Sequence, residues 1–162
     1  MTVDTIRNSG LPEPVALMKA VAGAVRETFE NMVFSESEPG GAAGPLPEPA
    51  LAIGLRVTAP FQLRIVMLMP EELGRRIGAT IFRHEEDGDA TETVRDAVGE
   101  LLNTLTGKMM RELIPGDRLF SMDFPRPWRP GDEGNRPADL QCPFMVEGLP
   151  FHILLYGEID FK

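Results

Sequence analysis

The succession of hydrophobic periods constrains this chain most: a helical repeat followed by strand-like alternation, and then the same order again. Over 12–34, Val15, Met18, Ala22, Val25, Phe29 and Met32 recur at steps of three and four, which predicts a first long helix with that face buried. Pro12 and Pro14 sit near its start, where proline is tolerated. Residues 35–49 are rich in proline and glycine and read as a flexible connector that loops out without a packing face. Leu51, Ile53, Leu55 and Val57 then alternate as a strand, and 61–69 is apolar on both sides, as a central strand would be. A short helix is expected over 71–78. A second long helix over 93–113 follows, stopped by Pro115-Gly116, with Asp89 or Thr91 as its cap. Strands are predicted over 118–124, 140–147 and 151–161, the last two joined by a turn at Gly148-Leu149-Pro150. This order predicts an α+β fold: two long helices packed on a largely antiparallel sheet, a pseudo-repeat of helix-then-strands, in one domain spanning 1–162.

Composition narrows the partners. The net charge of −9 argues against a nucleic-acid backbone or an anionic membrane as the bound surface. Cys142 is the sole cysteine, which leaves no intrachain disulfide and no thiolate metal cluster. The first apolar stretch is interrupted by Lys19 and Arg26, and no run is long enough to span a bilayer, so a cytoplasmic protein is the expectation. The acidic run 85–89 lacks the alternate oxygen ligands of a calcium loop. His84 and His152 have no companion at metal spacing, so no metal site is expected. Trp128, in a proline-rich loop, is left as either a lid over the core or an exposed contact.

The 93–113 helix carries the chemistry. Val94, Ala97, Val98, Leu101, Leu102, Leu105, Met109 and Leu113 form one broad apolar face. Asp96, Glu100, Asn103 and Gly107 form a narrow stripe on the other side, with Met110 nearer to it and available to a partner. Any surface helix has a polar stripe. This one, however, includes an Asn, a mediocre helix former, and a Gly that costs about 1 kcal/mol against Ala in a helix interior. A Gly beside the Asn leaves room for something to approach.

The run Asp96-x-x-x-Glu100-x-x-Asn103, with Pro125 following after twenty-one intervening residues, resembles the signature of the CheC/CheX/FliY chemotaxis phosphatases. The surrounding DAVGELLNTLTG is similar to the helix of the CheX-like members, and the resemblance covers nearly the whole chain. It implies a phosphatase that hydrolyses the aspartyl phosphate of a CheY-like response regulator. Asn103 would orient the attacking water and Glu100 would pair with a lysine of the regulator. Asp96, Gly107 and Pro125 would support the site or touch the partner. The resemblance further implies no cofactor of the chain's own, Mg²⁺ on the partner regulator, and a homodimer joined edge to edge through the last strands near Phe161. In the first helix Gly23, Glu27 and Glu30 stand where Asp96, Glu100 and Asn103 stand in the second. Ionised Glu30 has no hydrogen to donate to water, so a single site of the CheX type is expected there. The alternative is a non-catalytic module that binds a response regulator or a flagellar-switch component through the same surface.

Overall fold

A computed structural model describes residues 11–40, 46–82, 91–114, 116–129 and 136–157. His84, Asp89, the acidic run and the stretch of the last predicted strand beyond Gly157 lie outside the described residues.

The first helix, α1 (Pro14–Thr28), starts with proline at its first position and runs on into a π-helical turn, Phe29–Val33. Its buried face meets the predicted one at Val25 and Phe29, both fully buried, but is rotated from it. Leu17, Ala20, Val21, Ala24, Val25, Thr28 and Phe29 face inward, whereas Val15 is 69% and Met18 49% exposed. The face is turned by about 90° at 100° per residue. Two alanines and a threonine belong to it because small side chains let α1 lie close to its neighbours, which side-chain hydrophobicity alone does not signal.

The connector is also corrected. It contains a strand, β1 (Ser37–Pro39), so it does not simply loop out. Next come β2 (Ala50–Ala59) and β3 (Leu63–Pro70), an antiparallel pair in the predicted alternation, with Leu51, Ile53, Leu55 and Val57 all buried. The short helix is longer than expected: α2 (Glu71–Phe82) has Glu71 and Glu72 in its first turn, where the helix dipole favours them. On its buried side Gly74 permits close approach. A Cβ there would lie 2.8 Å from Leu51 Cδ2 and 3.1 Å from Val94 Cγ1. The long second helix is α3 (Thr91–Leu113).

The predicted 118–124 strand shrinks to β4 (Ser121–Met122), and beyond its predicted end lies a further short strand, β5 (Arg126–Pro127); both pair with β2. Proline lacks the N–H that a longer ladder would need, and Pro125 and Pro127 both fall here. The chain closes with β6 (Leu140–Val146) and β7 (Leu149–Gly157). Their turn is Glu147-Gly148, one residue earlier than expected, with φ of 53° and 77° as a two-residue hairpin loop requires.

These strands make one antiparallel sheet in the order β1-β6-β7-β3-β2-β4, with β5 also on β2. Exchanging β1 with β4/β5, β2 with β6 and β3 with β7 reproduces the same order reversed. The pseudo-repeat is therefore real in topology, and each half lends its first short strand to the other half's hairpin. It also places β7 at the centre. An open edge on the last strand is ruled out by its pairing with both β6 and β3, and Phe151 to Gly157 are all buried. Residues apolar on both faces belong inside a sheet.

The three helices among the described residues pack against one face of the sheet. At its centre Phe151 stacks between Phe29, at 4.9 Å, and Phe144, at 5.3 Å. The other face carries a smaller apolar cluster of Val66, Leu154 and Tyr156, packed with Ala52, Leu68, Trp128 and Ala138. Trp128 thus covers this second face rather than the main core. Its ring is 6.2 Å from that of Tyr156, and its backbone N–H donates to the carbonyl of Ala52.

Candidate functional site

On α3 the hydrophobic period and the burial agree. Ala97, Val98, Leu101, Leu102, Leu105 and Met109 are fully buried, and Asp96, Glu100 and Asn103 are exposed on the opposite side. Met110 is buried as well, which removes it as a partner contact.

A second element meets α3 from the sheet. The strip 121–127 is tied to β2 at both ends by β4 and β5. Between them the Asp123 N–H donates to the Arg56 carbonyl at 2.9 Å, and the Arg56 N–H donates to Asp123 Oδ1 at 2.8 Å. With its ends held, the strip brings Pro125 against the helix at Gly99. A Cβ on Gly99 would lie 3.3 Å from Pro125 Cβ, so glycine is what allows the two to touch.

Helix and strip enclose an open cleft of about 610 Å³, lined by Asp96, Gly99, Glu100, Asn103 and Pro125. Four of the five site residues singled out from the sequence therefore share one wall-and-floor arrangement. Gly107 does not line it; it lies one turn further along α3, with open space where a Cβ would be. Gly107→Ala is expected to stabilise the fold by about 0.5–1 kcal/mol through helix propensity, raising the thermal midpoint by about 1–4 °C. If Gly107 gives a partner room, calorimetry will show the same variant binding that partner more weakly.

The sequence reading missed Gly99, Arg95, Phe124 and Arg126, which also line the cleft. Gly99 carried a signal, a glycine inside a helix. Arg95 is the α3 neighbour of Asp96 and was passed over on the helix itself; Phe124 and Arg126 depend on the path of the strip, which no local period encodes. Phe124 is 80% exposed beside Pro125.

Among the described residues, no hydrogen bond or ion pair engages the side chains of Asp96, Glu100 or Asn103. Their polar atoms point to a visitor or to water. An unengaged carboxamide offers both a donor and an acceptor, and the carboxylate three residues earlier shares its helix face. In α1, Glu27 and Glu30 are exposed, and Glu27 is 3.5 Å from Lys108 as a surface ion pair.

The other candidates stand apart from the cleft. The Cys142 thiol is buried, which pushes its pKa up and disfavours the thiolate. His152 is buried, with Nδ1 3.2 Å from Gln141 Nε2. Among the described residues no group of three or more His, Cys, Asp and Glu is arranged to hold a metal, and no helix is long and apolar enough to cross a membrane.

Comparison with known proteins places this geometry. Solved structures share the fold. One is a chemotaxis protein CheX from Desulfovibrio desulfuricans, at 15% identity and TM-score 0.69, covering 88% of this chain and 99% of that one. Another is CheX from Vibrio vulnificus, at 20% identity and TM-score 0.67, covering 88% and 96%. A third is the CheX of a CheX–CheY–BeF3–Mg²⁺ complex from Borrelia burgdorferi, at 17% identity and TM-score 0.67, covering 85% and 95%. No curated protein sequence matches the chain. The sequence model of the family described as chemotaxis phosphatase CheX matches residues 52–146, a span that contains most of strand β2, all of β3 and α3, and the strip that closes the cleft. More than half of the chain thus fits that one model, and the chain belongs to the CheX family of chemotaxis phosphatases.

Proposed function

We propose that the chain hydrolyses the aspartyl phosphate of a CheY-like response regulator, using the α3 cleft. The observation that carries this reading is the shared cleft itself: an exposed Asn103 carboxamide, an exposed Glu100 one turn away and Pro125 against Gly99, all on one open surface.

Asn103 enters the receiver's phosphorylation site and aligns a water opposite the departing aspartate oxygen. Hydrolysis of an acyl phosphate depends chiefly on position and charge, so an amide that holds the water in line is sufficient equipment. Glu100 makes a charge-assisted contact with a lysine of the receiver and sets the register of the helix. Asp96 extends the same acidic edge, and Pro125 holds the far wall. Arg95, on α3 beside Asp96, gives the cleft a positive group for the anionic phosphoryl.

When bound, the receiver's Mg²⁺ supplies neutralisation of phosphoryl charge. The Borrelia CheX complex, which contains CheY, BeF3 and Mg²⁺, supports a partner of this kind. A homodimer belongs to the same reading, and sedimentation equilibrium tests it.

The deciding experiment follows the loss of phosphate from a phosphorylated receiver domain with and without this chain. Acceleration that saturates with receiver concentration is the expected result. Binding without acceleration for every cognate receiver overturns the enzymatic reading and leaves a non-catalytic binding module.

A further inference from the structure

The strip 121–127 has a second side. Across it from the α3 cleft, on the outer face of the sheet, lies a groove of about 790 Å³. Its walls carry Arg56, Arg64, Arg126 and Arg129, with Trp128 between the last two and Gly54 in the floor. Asp123 is its single carboxylate among the described residues, and one of that residue's oxygens already accepts from the Arg56 backbone N–H.

This arrangement runs against the character of the chain. The net charge is −9, yet four of its sixteen basic residues converge on one groove. Arg56 and Arg64 are direct cross-strand partners on β2 and β3. Like charges set opposite each other destabilise a sheet. All four are arginines, whose planar forks suit phosphate oxygens two at a time. Arg64 and Arg129 each have an interaction within the chain as well. Gly54 shapes the floor: a Cβ there would lie 3.3 Å from Val66 Cγ2 and 3.5 Å from Trp128 Cδ1, so the indole settles directly onto the strand. The groove's volume is in the range of small-molecule sites.

We propose that this groove binds a small molecule bearing two or more linked phosphates, at a site separate from the phosphatase cleft. The concave shape and the acidic remainder of the chain favour a compact ligand over a nucleic-acid strand. Several guanidiniums spread along the groove favour a chain of phosphates over a single one.

Trp128 is the only tryptophan, so its fluorescence reports on this groove alone. The test titrates the full chain with inorganic tripolyphosphate, and separately with orthophosphate, at constant ionic strength. A saturable change in emission is expected, with tripolyphosphate binding at least about tenfold more tightly. Arg56→Gln and Arg64→Gln each weaken it by about tenfold or more, the loss of one charge-assisted contact. Arg64→Lys keeps the charge, loses the fork, and gives an intermediate affinity. Arg75→Gln, which removes a charge from α2 outside the groove, and Asn103→Ala both leave binding unchanged. The Asn103→Ala arm separates this proposal from the phosphatase reading, because either can fail without the other.

Three results overturn the proposal. One is no saturable change with tripolyphosphate. Another is equal response to both phosphates, or a response untouched by Arg56→Gln, which would mean diffuse charge screening. The third is a silent Trp128 with tripolyphosphate together with weaker binding of a phosphorylated receiver by Arg56→Gln. That outcome assigns the groove to a protein interface.

Discussion

Asn103→Ala is expected to cut the catalysed loss of phosphate from the receiver by about 10²-fold or more, the scale on which single positioned amide donors act in other hydrolytic sites. The same variant keeps its fold. Asn103 is exposed and no hydrogen bond engages its side chain among the described residues, so truncation breaks nothing inside the molecule. Alanine is the better helix former by a few tenths of a kcal/mol, so the melting midpoint stays level or rises. Lost turnover with undiminished stability is a pairing that a disrupted core does not produce.

Isosteres sharpen the result. Asn103→Asp retains the shape, but the ionised group only accepts hydrogen bonds and meets an anionic phosphoryl; it is expected to be as inactive as alanine. Asn103→Gln keeps the amide but reaches one methylene further. A displacement of about 1 Å can cost about 10²-fold, so its rate is expected far below wild type. Glu100→Gln is expected to behave differently. Its main effect falls on the receiver concentration for half-saturation and on the salt dependence, because a solvent-accessible ion pair sets encounter and register more than the chemical step. Stopped-flow or phosphate-release measurements over a range of receiver concentrations separate these effects. Full wild-type turnover by Asn103→Ala would remove the amide from the mechanism.

The two long helices differ in how plainly their sequences declare their faces. In α3, leucines, valines and methionines occupy the inner side and Asp96, Glu100 and Asn103 the outer, so periodicity and burial coincide. In α1 the inner side is built partly from Ala20, Ala24 and Thr28, while Val15 and Met18 stay exposed; the larger apolar residues point the prediction the wrong way. β7 is apolar on both faces, the same signal that placed β3 inside the sheet, and its central position excludes the open edge that the family resemblance implied for the last strands. β1 was not legible. Three residues ending in Pro39 have little strand character of their own, and their pairing is decided by β6. The cleft was half legible. Asp96, Glu100 and Asn103 follow from helix spacing, whereas Phe124 and Arg126 take their places from hydrogen bonds to β2, sixty or more residues away in sequence. The glycine argument applied to Gly107 holds with more force at Gly99, where a neighbour actually fills the space.

Phe151→Ala is expected to cost about 3–5 kcal/mol of stability, the usual range for removing a large buried aromatic side chain. Phe151 has no exposed surface, and it stacks at 4.9 Å on Phe29 and at 5.3 Å on Phe144. Each aromatic pair contributes about 0.5–1.5 kcal/mol beyond the area it buries, so both add to the cavity cost. Against a total of about 5–15 kcal/mol for a natural domain, the loss is a large share. Urea unfolding should show a lower midpoint with little change in slope. Phe151→Leu fills much of the volume but keeps neither stack, so its smaller loss isolates the aromatic part. The effect has a direction as well. Phe29 begins the π-helical turn that continues α1, so amide exchange should quicken in α1 before α3. The cleft is built from α3 and from a strip tied to β2, with Phe151 in neither. Well below its melting midpoint, Phe151→Ala should therefore hydrolyse the receiver's phosphate at close to the wild-type rate. Loss of rate in step with stability would mean that α3 owes its position to the aromatic stack, and the rate lost in any α3 variant would then have to be corrected for displacement of the whole helix before being ascribed to one side chain.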